Sequence, residues 1–262
     1  MPSPSTTLRA ALAACALATL PLLALGAPDQ ASAPLAASTP AAVGTTAMPR
    51  QIEYHWMSVA RWHEMAEAQQ ARAAEGNLDL LVVGDSITEG WKEPHWSATF
   101  GQYHPGNFGI GGDHTGNLLW RMQQLGTVRT LHPTAVVLLI GVNNLNLIPE
   151  TPAQTAAGIA AVVASLRASF PDAKILLNAV FPEGQLAGDP KRAAVIELNR
   201  LAAALGDERH VFFRDYGARF LSPNGDIAPE IMADFLHLTP AGYQIWSDAM
   251  APDLRALMRK DG

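Results

Sequence analysis

A serine and an Asp-x-x-His pair are the side chains of this sequence best suited to nucleophilic chemistry. Ser86 lies in GDSITEG, residues 84–90, directly after a short apolar run, and Asp234 and His237 lie in DFLHLTP, residues 234–240. A serine hydroxyl becomes a good nucleophile when an imidazole takes its proton and a carboxylate orients that imidazole. These residue types suit acyl transfer, although each segment taken alone is more often a simple helix cap.

Two further polar segments follow apolar runs, NFGIGGD at residues 107–113 and GVNN at residues 141–144. The glycines superficially suggest dinucleotide binding, but the final small residue of that fingerprint is missing and the first strand is followed by the serine instead. A loop Asn pair alone usually forms a turn. Because the four segments come in order at consecutive strand ends, we expect them to form one site.

Apolar, partly β-branched runs alternate with helical patterns along the chain. Strands are predicted at 78–83, 103–108, 135–140, 175–180 and 211–213, and helices at 52–75, 115–124, 152–170, 191–205 and 240–258. Almost continuously apolar strands indicate a parallel sheet covered on both faces. The predicted fold class is therefore α/β, a three-layer α/β/α sandwich around a flavodoxin-like, five-stranded parallel sheet. Ligands bind such sheets beyond the carboxyl ends of the strands, where the polar segments lie.

The N-terminal region has the pattern of a leader and a linker. An apolar run from Ala10 to Ala27 predicts a signal peptide over residues 1–27, and hence export to the periplasm or the cell exterior without stable membrane insertion after cleavage. Residues 28–47, rich in Ala, Pro, Ser and Thr, are predicted to be a flexible linker before a domain at residues 48–262. A lipoprotein anchored through Cys15 is the alternative.

The overall charge and the single cysteine exclude several classes of partner. The 262 residues have a net charge of −6 and no basic cluster, so neither nucleic acid nor an anionic membrane is an expected partner. Cleavage of the leader removes Cys15 and leaves no disulfide or thiolate ligand. The histidines other than His237 show no metal-ligand spacing, so no metal and no cofactor is predicted.

In its four polar segments the chain resembles the SGNH/GDSL hydrolase family, and most closely its platelet-activating-factor acetylhydrolase-like branch. The resemblance extends from Leu78 to the C-terminus. It implies Ser86 as nucleophile, His237 as base and Asp234 as the residue that orients the base. It also implies an oxyanion hole made by the backbone N–H groups of Ser86 and Gly112 and the side-chain amide of Asn143. Asp215 and Asp226 are less suitable acids, because neither precedes a histidine at one-turn spacing.

The same resemblance implies an acyl pocket walled by Ile87 and Leu236, whose bulk favours acetyl over long acyl groups, unless both are ordinary core residues. Trp91 and Trp96 follow the serine and are either core residues or a surface on which a sugar ring stacks. The expected function is an exported serine esterase acting on short-chain, acetyl O-esters of carbohydrates. The alternatives are an acetylated-lipid or general short-chain carboxylesterase and, outside the enzyme class, a non-catalytic glycan-binding module.

Overall fold

The computed structural model describes residues 42–259, which belong to one compact unit. The predicted signal peptide, Cys15 and the first part of the predicted linker lie outside the described residues. Within residues 42–259, no helix combines the length and the apolar character needed to span a bilayer.

The centre of the domain is a parallel sheet of five strands. They are β1 (Leu80–Gly84), β2 (Pro105–Gly109), β3 (Ala135–Leu139), β4 (Lys174–Asn178) and β5 (Val211–Arg214). Their spatial order is β2-β1-β3-β4-β5, with every neighbouring pair parallel. The order changes direction beside β1, so the ends of β1 and β3 form the crevice in which such sheets bind ligands.

Helices cover both faces of the sheet. They are α1 (Val59–Ala74), α2 (Ser86–Glu89), α3 (His95–Phe100), α4 (Thr115–Leu125), α5 (Val142–Asn146), α6 (Pro152–Ser169), α7 (Pro190–Ala202) and α8 (Pro240–Leu257). Alternate strand residues pack into two cores, one with α4, α6 and α7 and the other with α3 and α8. This architecture confirms the predicted three-layer α/β/α fold. The sequence patterns missed the short helices α2, α3 and α5.

Helix α1 begins seven residues later than the predicted start at residue 52. The Ser58 side chain accepts a hydrogen bond from the N–H of Arg61 at 3.0 Å, and the Glu53 carboxylate accepts one from the N–H of Val59 at 3.0 Å. Both bonds satisfy amides of the first turn, so the helix starts there. Before it, Tyr54 and Met57 pair across a tight turn.

The predicted linker is wrong for residues 42–47, which pack against the domain. Val43–Thr45 forms a short 3₁₀ helix in which Gly44 is buried. The Gly44 N–H donates to the Glu150 carboxylate at 2.8 Å, and its carbonyl accepts from the Thr115 hydroxyl at 2.9 Å. A Cβ at this position would overlap Thr115 and Asn144. The folded domain therefore begins before Met48.

Candidate active site

Ser86 lies at the carboxyl edge of the sheet, in the first position of α2. Asp85 precedes it and caps this short helix, because its side chain accepts a hydrogen bond from the N–H of Ile87 at 3.0 Å. In the sheet, Gly84 at the end of β1 is aligned with Gly109 at the end of β2. A Cβ at Gly109 would overlap the backbone of α2, so a glycine here lets the β2 loop approach the serine.

Asp234 and His237 lie on a loop that folds back on itself immediately before α8. A bridge between Met232 and Leu238 closes the loop. Inside it, one carboxylate oxygen of Asp234 accepts hydrogen bonds from the N–H groups of Leu236 at 3.1 Å and His237 at 2.7 Å. These bonds fix the turn that presents both side chains on one side.

The structure brings Ser86, His237 and Asp234 together in one hydrogen-bonded chain. Ser86 Oγ lies 2.9 Å from His237 Nε2, and His237 Nδ1 lies 2.7 Å from Asp234 Oδ2. Because the carboxylate faces Nδ1, that nitrogen carries the ring proton and Nε2 is left as the acceptor for the serine hydroxyl. This arrangement can deprotonate Ser86 when it attacks a carbonyl carbon. Asp215 and Asp226, the other acids considered, instead accept hydrogen bonds from the backbone N–H groups of Gly217 and Ala187.

The carboxylate of Asp234 is held in its charged form. Burial raises the pKa of Asp234, but the hydrogen bonds from the His237 ring, the His237 backbone and the Leu236 backbone outweigh it. The pKa therefore lies below its ordinary value, and Asp234 is ionised at neutral pH. An ionised carboxylate stabilises the imidazolium that forms when His237 takes a proton.

Three hydrogen-bond donors are predicted to form the oxyanion hole. Gly112 has φ of +73°, a conformation that favours glycine, and a Cβ built on the preceding Gly111 lies 3.7 Å from the Cβ of Ser86. Asn143 is buried and uses one amide hydrogen to bind the Asp113 carbonyl at 2.9 Å. Within residues 42–259, neither the N–H of Ser86 nor that of Gly112 has an acceptor. Together with the second Asn143 hydrogen, these donors can stabilise an oxyanion.

Two side chains that the sequence patterns did not single out hold the glycine loop in place. The Gly111 N–H donates to the Glu89 carboxylate at 2.6 Å, and Arg50 Nη2 donates to the Gly111 carbonyl at 2.8 Å. That carbonyl belongs to the same peptide unit as the Gly112 N–H, so Arg50 polarises the donor directly. Glu89 could have been found at the end of the serine segment, whereas no sequence signal marks Arg50.

Asp113 organises the hydrogen bonds beneath this loop. Its fully buried carboxylate accepts from Trp62 Nε1 at 2.6 Å, from Arg121 Nε at 2.8 Å and from Arg50 Nη2 at 3.2 Å. Its backbone carbonyl is the acceptor that orients Asn143. Side chains from the N-terminal segment, α1 and α4 therefore converge on Asp113, which follows Gly112 in the chain and binds Asn143, two of the three predicted oxyanion donors.

The remaining predicted site residues lie deeper than expected. Ile87 is 2% exposed and packs in the core shared with α8, and Leu236 is half-buried against the opposite core. Trp91 is 3% exposed and packs on the Phe100, Tyr243 and Trp246 rings, so it is a core residue rather than a sugar-stacking surface. Trp96 is half-buried against Phe100.

Among residues 42–259, no three His, Cys, Asp or Glu side chains are grouped so that they could hold a metal ion.

Asp85 is a buried acid with an unpaired oxygen beside the serine. Its Oδ2 has no hydrogen-bond partner among the described residues. Burial raises the pKa of Asp85 from 3.8 to about 7, and the nearby Asp113 charge adds to the shift, while the Ile87 N–H opposes it. Between these two pH values the folded protein holds a proton that the unfolded chain has lost.

We expect Asp85→Asn to change how stability depends on pH. In the native protein the Asp85 contribution is complete below about pH 4 and is lost as the pH rises towards 7, by at most about 1.4 kcal/mol per pH unit. Urea unfolding at intervals from pH 4 to pH 8 measures the slope, which the variant should lack. Asp172→Asn, on an exposed turn, is the matched control and should keep it. Parallel profiles for the native protein and Asp85→Asn would contradict the shifted pKa.

Comparison with known proteins identifies the family. The model of the GDSL-like lipase/acylhydrolase family matches residues 82–245. This segment includes the serine, the glycine loop, the asparagine loop and the Asp-x-x-His loop. The chain belongs to this family. Within it, platelet-activating factor acetylhydrolase IB subunit alpha2 of Gallus gallus is 33% identical over 208 residues, covering 79% of this chain and 86% of the relative. This GDSL protein therefore falls in the platelet-activating-factor acetylhydrolase-like branch.

Solved structures have the same fold at lower sequence identity. Est24, a carbohydrate acetylesterase from Sinorhizobium meliloti, is 22% identical with a TM-score of 0.54, and the match covers 69% of this chain and 99% of Est24. The aryl esterase of M. smegmatis is 22% identical with a TM-score of 0.53, and the match covers 68% of this chain and 98% of the esterase. Family membership makes this GDSL protein a carboxylic ester hydrolase.

Proposed function

We propose that this esterase hydrolyses short-chain O-esters, above all acetyl esters of carbohydrates, through an acyl-serine intermediate. The observation that carries the proposal is the hydrogen-bonded chain from Ser86 through His237 to Asp234, with unpaired donors beside the serine.

In the first half-reaction, Ser86 Oγ attacks the ester carbonyl carbon while His237 Nε2 takes the hydroxyl proton. The N–H groups of Ser86 and Gly112 and the side-chain amide of Asn143 bind the oxyanion, and each such donor contributes on the order of 3 kcal/mol. His237 then gives its proton to the departing alcohol, which leaves an acyl-serine. In the second half-reaction, His237 deprotonates water, the acid is released and Ser86 regains its proton.

Two kinds of similarity support acetyl as the acyl group. The related Gallus gallus protein is named an acetylhydrolase, and the Sinorhizobium meliloti protein of the same fold is a carbohydrate acetylesterase. Ile87 and Leu236, the residues expected to wall the acyl pocket, are bulky and closely packed. An acetyl group needs the least space beside them.

Export, the open site and the carbohydrate acetylesterase fold relationship favour an acetylated glycan as the substrate. The imidazole of His237 is 45% exposed and the carboxylate of Asp234 is 58% exposed, so the site is accessible to an ester on a large molecule.

Export itself rests on the apolar run before residue 28. Mass spectrometry of protein recovered outside the cytoplasm should give an N-terminus after residue 26, 27 or 33. An intact residue 1 would contradict cleavage of the leader, and recovery from the cytoplasm alone would contradict export. An acetylated lipid is the second candidate, favoured by the platelet-activating-factor acetylhydrolase relatives.

The substrate class is tested by comparing p-nitrophenyl acetate, butyrate and octanoate with acetylated xylan and an acetylated glycerophospholipid. We expect kcat/KM for acetate to exceed that for octanoate by about tenfold or more, because the bulk of Ile87 and Leu236 would leave a long acyl chain little room. Comparable rates would contradict the acetyl preference. Acetate release from xylan favours the glycan, and release only from the lipid favours the second candidate. No turnover by folded protein would point to a non-catalytic glycan-binding module.

A further inference from the structure

One tryptophan of this protein is exposed, and it lies next to the site. All six tryptophans fall within the described residues, and Trp56 is the exposed one, with 47% of its surface accessible. It occupies the tip of the tight turn that Tyr54 and Met57 close with two backbone hydrogen bonds of 3.1 Å. A large aromatic ring left in water forgoes the free energy of burial, so its position calls for an explanation.

The Trp56 ring borders the predicted oxyanion hole. A Cβ at Gly112 would overlap the outer edge of the indole, so the ring packs directly on the Gly112 backbone. On the preceding residue, a Cβ built at Gly111 lies 3.7 Å from both Met57 Cε and Ser86 Cβ. The exposed indole is thus separated from the serine by two glycines without side chains.

The ring is held rigidly in this position. Tyr54 stacks on Trp56 with the ring centroids 4.8 Å apart and the planes 4° from parallel. The Arg50 guanidinium carbon lies 5.3 Å from the Tyr54 centroid and 5.9 Å from that of Trp56, within cation–π distance. The same guanidinium binds the Gly111 carbonyl, so the aromatic stack and the oxyanion loop are fixed to one another.

We propose that the exposed surface of Trp56 binds the sugar ring that carries the acetyl ester. This inference rests on the proposed function and names the residue that would recognise the alcohol portion. A flat, rigid aromatic surface matches the C–H-rich face of a pyranose, and it loses little conformational entropy on binding because the ring is already fixed.

The surroundings of the stack offer both polar and apolar groups to a ligand. Tyr54 also lines a recess of about 220 Å³ whose wall includes polar side chains. These are Arg50, Gln51, His114 and Asn117. The rest of the wall is apolar and includes Met48, Ile52 and Ile148, so a neighbouring sugar could place hydroxyl groups at the polar part and C–H groups at the apolar part. Trp56 therefore takes the stacking role that the sequence suggested for Trp91 or Trp96.

The test separates recognition of the alcohol from the chemistry at the ester. Trp56→Ala and Trp56→Phe are compared with the native protein on acetylated xylo-oligosaccharides and on methyl acetate, whose alcohol has no ring. We expect Trp56→Ala to raise the ratio of KM for the oligosaccharide to KM for methyl acetate about tenfold, because any effect on the Gly112 loop is common to both substrates. Trp56→Phe should recover most of the loss. Trp96→Phe is the matched control and should behave as native on both substrates.

A binding measurement gives a readout that does not depend on turnover. Deacetylated xylo-oligosaccharide titrated into Ser86→Ala should change the tryptophan fluorescence, and adding Trp56→Phe to that protein should remove the change while keeping the binding. Equal losses on both substrates in Trp56→Ala would show a merely structural role and overturn the proposal, as would unchanged oligosaccharide kinetics and fluorescence. If no ester is hydrolysed but the fluorescence change requires Trp56, the sugar site stands and the proposed function fails.

Discussion

Ser86→Ala should lower kcat for p-nitrophenyl acetate by about 10⁴- to 10⁶-fold. The variant removes the attacking oxygen, whereas the oxyanion donors and His237 remain and can support only slow attack by water. The hydroxyl has a single side-chain partner, His237 Nε2 at 2.9 Å, so its removal leaves no buried group unpaired. Steady-state assays with stopped-flow detection of the p-nitrophenol burst measure both the rate and the acyl-enzyme.

The control for this prediction is the exposed serine at position 97, which follows in the next helix. Ser97→Ala should retain native kcat. Thermal unfolding of Ser86→Ala should match the native protein, which excludes misfolding as the cause of the lost activity. A residual rate within tenfold of native would show that another residue is the nucleophile.

Asp234→Asn should lower kcat by roughly 10³- to 10⁴-fold with a much smaller change in KM. An amide that donates to His237 Nδ1 forces the ring proton onto Nε2, which then cannot accept the Ser86 proton. The other oxygen of Asp234 already accepts two backbone N–H groups, at 2.7 and 3.1 Å, so the asparagine oxygen stays there and its amine faces the imidazole. Steady-state kinetics on p-nitrophenyl acetate separates the two parameters.

Asp215→Asn is the matched control, because Asp215 is the alternative acid and pairs with the Gly217 backbone. It should keep native kcat. Equal losses in both variants would indicate a general effect of charge on the site and not an orienting role for Asp234.

The polar segments could be located from the sequence because parallel strands end at one edge of the sheet. Ser86 and Asn143 each follow a strand that a short apolar run predicts, and Asp234 and His237 are close in sequence. The contact between Ser86 and His237 spans 151 residues, however, and no spacing rule gives a distance across such a separation. The triad roles were accessible only through the resemblance.

The part of the site that sequence patterns missed lies before α1. Trp56 fits the helical period of the helix predicted at 52–75, but the Ser58 cap starts α1 at Val59, three residues after Trp56. The cap residue was itself a usable signal. The docking of residues 42–47 carried no such signal, because Gly44 contributes a backbone amide and the lack of a side chain instead of apolar surface.

The docked N-terminal segment behaves as an intramolecular ligand at high effective concentration. It binds Glu150, and Glu150 in turn accepts from the amide of Asn144, the neighbour of the predicted oxyanion residue Asn143. Two binding events that share one set of contacts are thermodynamically linked, and the linkage is reciprocal. The docking of Gly44 and the position of the helix that carries Asn143 therefore depend on one and the same carboxylate, Glu150.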